Sequence, residues 1–95
     1  MNSIAMSQPE PQSLLTFPCV FPMKVMGRRE DGFAQNVLDI VLRHAPDYHP
    51  ETLEMRSSKN GRYLSLTVTL NAKSREQLDA LYSELSKHPM VLMVL

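Results

Sequence analysis

The sequence predicts an α+β domain with the element order strand-helix-strand-strand-helix-strand. Three observations predict it. Residues 63–70 alternate strictly, with Leu64, Leu66, Val68 and Leu70 on one side and Tyr63, Ser65, Thr67 and Thr69 on the other, the pattern of a half-buried strand. Asn60-Gly61 stands just before that run, and Asn-Gly favours a tight hairpin turn because both residues tolerate positive φ. Two helical apolar stripes flank this hairpin, one before it and one after it.

Each element follows from its residues. Phe21, Met23 and Val25 alternate with Pro22, Lys24 and Met26, giving a first strand that Gly27 ends. Asp31 is placed to cap the first helix, whose apolar positions are Phe33, Val37, Ile40, Val41 and His44. Ala45-Pro46 stops it, since the residue before a proline avoids the helical region. Leu53, Met55 and Ser57 alternate as a second strand. Ser74-Arg75-Glu76-Gln77 reads as a capping box, the hydroxyl reaching the Gln77 amide and the Gln77 side chain reaching back. Leu78, Leu81, Tyr82 and Leu85 form the second helical face; Lys87 and His88 suit the negative end of the helix dipole, and Pro89 blocks continuation. Residues 90–95, Met-Val-Leu-Met-Val-Leu, form the last strand.

Two interleaved strand-helix-strand units give an antiparallel sheet in the order 4-1-3-2 with both helices on one face, the ferredoxin-like βαββαβ architecture. Residues 1–16 are expected to be a flexible tail and 17–95 a single domain. In this order the last strand lies at an edge, yet it is apolar on both faces. Such an edge templates further pairing. Either the tail covers it through Leu14 and Leu15, with Phe17 docking nearby, or a second copy pairs with it to make a homodimer.

Composition narrows the function classes. The chain has 95 residues, 43% apolar, with ten basic and ten acidic side chains, enough for one thin core of the kind that buries about 60–65% of its unfolded surface. Zero net charge points to neither nucleic acid nor an anionic membrane. Tyr63 alone is no base-stacking platform. No cofactor is expected, and no stretch approaches a membrane span. The single Cys19 gives no disulfide framework and no paired-cysteine site, and with no secretory leader expected the chain reads as cytoplasmic. His44, Asp47 and His49 lie close in sequence, but two histidines and one aspartate fall short of a closed metal site.

Two candidate surfaces remain. The loop after the first strand, Gly27, Arg28, Arg29 and Gly32, precedes a helix and can hold a small ligand; Glu30 and Asp31 oppose a phosphate there and favour a mixed-charge molecule. The last strand, Met90, Val91, Leu92, Met93 and Val94, together with Arg56, Lys59 and Arg62 of the hairpin region, can meet a partner protein.

Phe17-Pro18, Phe21-Pro22, Lys24-Val25-Met26-Gly27, Arg43-His44-Ala45-Pro46, Ser57-Ser58-Lys59, Asn71-Ala72, Leu81-Tyr82 with Leu85, and the Met93-Val94-Leu95 ending resemble the YbeD family of small bacterial proteins. The resemblance spans residues 17–95. It implies an ACT-like version of the ferredoxin-like fold, a version that binds small ligands at paired interfaces, and it implies no catalytic residues. The Lys59–Tyr63 hairpin is one residue longer than is usual in that family. The expected function is therefore a non-enzymatic regulatory or adaptor domain for a small metabolite or a partner protein. The alternatives are an enzyme acting on a small anion through Arg28, Arg29 and the loop amides, and a structural subunit of a larger assembly.

Overall fold

The computed structural model describes residues 15–95. Strand β1 (Cys19–Arg28) leads into helix α1 (Phe33–His44), strand β2 (Glu54–Ser57), strand β3 (Tyr63–Ala72), helix α2 (Arg75–Lys87) and strand β4 (Val91–Val94). The four strands form an antiparallel sheet in the order β2-β3-β1-β4, the expected order read from the other edge. The central pair is the longest, with Cys19 opposite Ala72 and Arg28 opposite Tyr63.

Alternation along this pair decides the layering. Met23 and Val25 of β1 and Leu66, Val68, Leu70 and Ala72 of β3 are buried on the same side, against Phe33, Val37, Ile40 and Val41 of α1 and Leu78, Leu81 and Leu85 of α2. Both helices therefore cover one face, and Lys24, Thr67 and their neighbours in register carry the other. Leu15 and Phe17 also pack against this core. Residues 1–14 of the expected 1–16 tail, and with them the proposed docking of Leu14, lie outside the described residues.

Several local expectations are corrected. Gly27 does not end the first strand; it lies within β1, buried beneath Phe33, and pairing continues to Arg28. Asp31 does not cap α1. Gly32 is the N-cap, at φ +86, and its carbonyl accepts from the Asn36 amide and Asn36 Nδ2, both at 2.8 Å. The Phe33 amide donates to the Glu30 carbonyl at 3.2 Å, so the chain turns sharply at Asp31-Gly32 and leaves Asp31 exposed.

Ser74 caps α2 as expected, its hydroxyl accepting from the Gln77 amide at 3.0 Å. The return half of the box differs. Gln77 Oε1 accepts from the Lys73 amide at 2.7 Å, while its Nε2 donates to the His44 carbonyl at 2.8 Å. Gln77 thus ties the end of α1 to the start of α2, a stronger use of a part-buried amide than a local bond that water can replace. His44 ends α1 beside Glu84 and is not part of the buried stripe. A short 3₁₀ turn, Pro50–Thr52, precedes β2, which starts at Glu54 with Leu53 packed on the core.

The hairpin is wider than a two-residue Asn-Gly turn. The last β2–β3 pair is Ser57 opposite Leu64, and the Ser58 amide donates to the Tyr63 carbonyl at 3.0 Å. Inside that closure Asn60 Oδ1 accepts from Ser58 Oγ and the Arg62 amide, and Gly61 takes φ +74. An asparagine carboxamide here does the work of a backbone turn.

β4 is shorter than expected and carries an irregularity. Val94 pairs with Val25, Met93 with Met26, and Val91 with Gly27, which leaves Leu92 without an opposite residue. This extra residue lets Val91 and Val94, three positions apart, both face the core while Leu92 and Met93 are exposed. Simple alternation cannot yield that pattern. Leu95 continues the ladder through two backbone bonds with Lys24, at 3.1 and 2.8 Å.

Candidate functional site

The loop after β1 and the β2–β3 hairpin meet at one end of the sheet. β1 and β3 part after Arg28 and Tyr63, but the Arg29 amide still donates to the Arg62 carbonyl at 2.8 Å. That bond holds two loops together that lie far apart in sequence. Between them is an open cleft of about 470 Å³ lined by Arg28, Arg29, Glu30, Gly61, Arg62 and Tyr63. Arg29 Nη1 reaches across to within 3.5 Å of the point where a Gly61 Cβ would stand. The φ of +74 is what favours glycine here; the guanidinium itself leaves room for a Cβ at ordinary contact distance.

Arg28, Arg29 and Arg62 are all exposed, and none of them enters an ion pair among the described residues. Guanidinium groups stay protonated and only donate. The cleft therefore offers fixed positive charge and hydrogen-bond donors, with one carboxylate, Glu30, at its border. Asp31 is not part of the lining.

The structure redistributes the sequence-predicted residues. Arg28 and Arg29 stay together, and Arg62 joins them from the group assigned to a partner. Gly27 and Gly32 do not line the cleft: Gly27 lets Phe33 close over β1, and Gly32 caps α1. Arg56 lies on the open sheet face beside Ser65, and Lys59 is exposed near the hairpin tip. Along the other edge, Val91 and Val94 are committed to the core, Met90 is half-buried with Asn36 Nδ2 at 3.4 Å from its sulfur, and Leu92 and Met93 face solvent at 56% and 49% exposure.

Sequence reasoning missed a second cleft. β4 and Leu95 reach only from Gly27 back to Lys24, so the first half of β1 has no strand partner on that side among the described residues. An apolar recess of about 340 Å³ opens there, bordered by Phe21, Met23, Leu78, Tyr82 and Leu95. On the sequence the first strand reads as residues 21–26, as long as the terminal run, so no signal marked this recess; it follows from β1 extending over ten residues. The Tyr82 hydroxyl donates to the Val94 carbonyl at 2.9 Å and pins β4 beside this recess.

The other candidate side chains turn to separate partners. His44 Nε2 lies 2.7 Å from Glu84 Oε1, and Arg43 lies 2.5 Å from Glu84 Oε2. Asp47 takes Lys73 at 2.8 Å, and His49 faces Glu51 at 3.6 Å. Among the described residues no cluster of His, Cys, Asp and Glu could hold a metal ion. Cys19 is half-buried in β1, opposite Ala72. No helix among the described residues is long and apolar enough to cross a membrane.

Hydrogen bonds from His44 and then Arg43 hold the Glu84 carboxyl below its ordinary range, and the Lys73 ammonium does the same for Asp47. A carboxylate whose pKa is depressed by folding contributes stability above its unfolded pKa. That contribution is lost as pH falls through the folded value. Glu84→Gln is therefore expected to lower the urea midpoint at neutral pH. The gap to the unaltered protein should close as pH drops below about 4. Midpoints measured from pH 7 to 3 check this; a gap that is constant with pH would remove Glu84 as a contributor.

The profile of the family described as "Protein of unknown function (DUF493)" matches residues 12–95. The UPF0250 protein NE1487 of Nitrosomonas europaea is 57% identical over 84 residues, covering 88% of this chain and 97% of its own. The UPF0250 protein of Leptothrix cholodnii is 53% identical over 87 residues, covering 92% of this chain and 96% of its own. Among solved structures, protein HP0495 of H. pylori superposes with a TM-score of 0.71 at 16% identity, over 96% of this chain and 91% of that one. The ACT domain from GTP pyrophosphokinase of Chlorobium tepidum superposes with a TM-score of 0.63 at 17% identity, over 81% and 83%. At these identities the structural likeness is one of fold.

Proposed function

The chain belongs to the DUF493 family, the UPF0250 or YbeD proteins, with an ACT-like fold, and from that premise we propose that it is a non-enzymatic cytoplasmic regulatory or adaptor domain that binds a small ligand in the cleft between Arg29 and Arg62. The observation that carries this reading is that three arginines, from two separate loops, line one cleft, with none of them in an ion pair among the described residues. Like charges lining one cleft favour an anionic group there, which offsets them. The fold likeness supplies no ligand, because one fold hosts many functions. The cleft residues themselves point to binding, since they hold donors and fixed charge and no nucleophile set against a base.

Titrating the ¹⁵N-labelled protein with a panel of amino acids, carboxylic acids and small phosphates tests this. Amide shifts confined to residues 27–32 and 61–63 are expected for at least one compound. A panel that leaves all of these amides unmoved would remove the ligand-binding reading.

A partner on the β4 edge is the second reading. It is favoured by Leu92 and Met93, large apolar side chains exposed on an edge strand that carries no charge. A second copy paired there would form one continuous two-fold sheet. Sedimentation over a concentration series reads it directly, and a strict monomer at every concentration removes the homodimer.

A further inference from the structure

We infer that the group held between Arg28, Arg29 and Arg62 is a phosphate monoester carried by a small organic molecule. The inference rests on the ligand-binding reading above and names the ligand class for the same cleft.

Charge is the first argument. Three guanidiniums against the one carboxylate of Glu30 leave a formal excess of two positive charges at the cleft. Judged on the first loop alone, two arginines are balanced by Glu30 and Asp31, and a phosphate is disfavoured. Folding changes that balance, because Arg62 enters the lining and Asp31 does not. A monocarboxylate would leave part of the excess uncompensated. A phosphate monoester carries about −1.5 to −2 charges at neutral pH, which matches it.

Geometry is the second argument. Arg28 and Arg29 approach from the end of β1, and Arg62 approaches from the hairpin, the two sides fixed by the 2.8 Å backbone bond. A guanidinium is a planar fork that pairs with two oxygens at once. Arginines supplied by two separate loops can present such forks to the three terminal oxygens of a tetrahedral group, one more than a carboxylate offers.

Size and lining complete the assignment. A bare phosphate fills a small part of the 470 Å³ cleft, which lies within the usual range for organic ligands, about 300–1,000 Å³. Tyr63, directly opposite Arg28 on the last rung of the ladder and 42% exposed, supplies an apolar wall for the organic part. Glu30 can accept a hydrogen bond from a hydroxyl or an amine of the same ligand.

Phenyl phosphate is the probe, with inorganic phosphate, phenylacetate, succinate and a phosphoserine peptide as the other arms, each titrated against the ¹⁵N-labelled full chain at low salt. Phenyl phosphate should shift the amides of residues 28–30 and 61–63 and bind about tenfold or more tightly than phenylacetate. Arg28→Ala and Arg62→Ala should each weaken it about tenfold or more, the scale of one charge-assisted hydrogen bond. Tyr63→Ala should weaken phenyl phosphate but leave inorganic phosphate unchanged. Lys73→Ala, at the opposite end of the sheet just after Ala72, should change neither. The substituted arginines are exposed, and matching amide spectra away from the cleft will show that each variant is folded.

If a carboxylate probe shifts these amides and the phosphates do not, the phosphate assignment fails and the ligand-binding reading stands. If no probe of either class moves them, both fall. A phosphoserine peptide that binds more tightly than phenyl phosphate overturns the small-molecule part of the inference. Undiminished binding by Arg62→Ala overturns the role of the hairpin.

Discussion

Gly27→Ala should destabilise the protein by about 3 kcal/mol, the upper end of the usual range for overpacking. The direction is not what propensity suggests. A glycine inside a strand is ordinarily worse than alanine by about 0.5–1 kcal/mol, so a residue judged on its strand alone would gain from the change. Here a Cβ would stand 2.4 Å from the Met90 carbonyl oxygen and 2.5 Å from Phe33 Cε1. Neither obstacle can yield cheaply. The Met90 carbonyl is backbone at the mouth of β4, fixed by the pairing of Val91 with Gly27 and by the Val91 amide bond to the His88 carbonyl at 3.0 Å. The Phe33 ring is fully buried in the helix–sheet core. One methyl group therefore pushes against β4 and α1 at once. Urea unfolding of the variant reads the effect, and a midpoint equal to or above that of the unaltered protein would refute the clash. Gly32→Ala is the control for backbone conformation. Its nearest neighbour is Asn36 Nδ2 at 3.4 Å, and its penalty comes from φ +86, about 1–2 kcal/mol.

The same glycine shows where sequence reasoning stops. The strand of residues 63–70, the stripe from Phe33 to Val41 and the Ser74 cap are local patterns, set by a period of two, a period near four and a hydroxyl three residues from an amide; the structure has all of them. The sheet order follows from chaining such elements by the simplest connections. Gly27 looked like a terminator because glycine punctuates chains. What keeps it in β1 is Phe33, whose ring lies where a side chain would be, and that is a tertiary fact. Asp31 looked like a cap because of its chemistry, but the turn closed by Phe33 and Glu30 gives the position to Gly32.

The cleft was half legible for the same reason. Arg28 and Arg29 stand beside a loop that precedes a helix, a local signal. Arg62 belongs with them only through the β1–β3 register, which sets Arg28 opposite Tyr63 and brings the two loops into bonding distance. The recess at Phe21 and Tyr82 depends on how far β4 runs along β1, and the extra residue at Leu92 helps to set that. Periodicity ranks residues by face. It does not say which loops meet.

Phe33→Ala should have the second large effect, a loss of about 3–5 kcal/mol, the range for removing a buried phenyl ring. For a domain of this size that approaches the whole margin of stability, so Phe33→Leu is the companion variant, expected to lose less because most of the volume is kept. The two differ in a second, more local way. Phe33 is the first residue of α1, and its ring is the cover over Gly27, one residue before Arg28. Truncating it removes the contact that fixes where the arginine-bearing loop leaves the sheet. Amide hydrogen exchange should then quicken first at residues 28–32, before the central β1–β3 ladder opens, because the local anchor fails at a smaller free energy than the sheet itself. If exchange in Phe33→Leu instead rises uniformly along β1, β3 and both helices, the ring contributes only bulk to the core, and the loop that carries Arg28 and Arg29 must be held by its backbone bonds, Arg29 to Arg62 and Phe33 to Glu30.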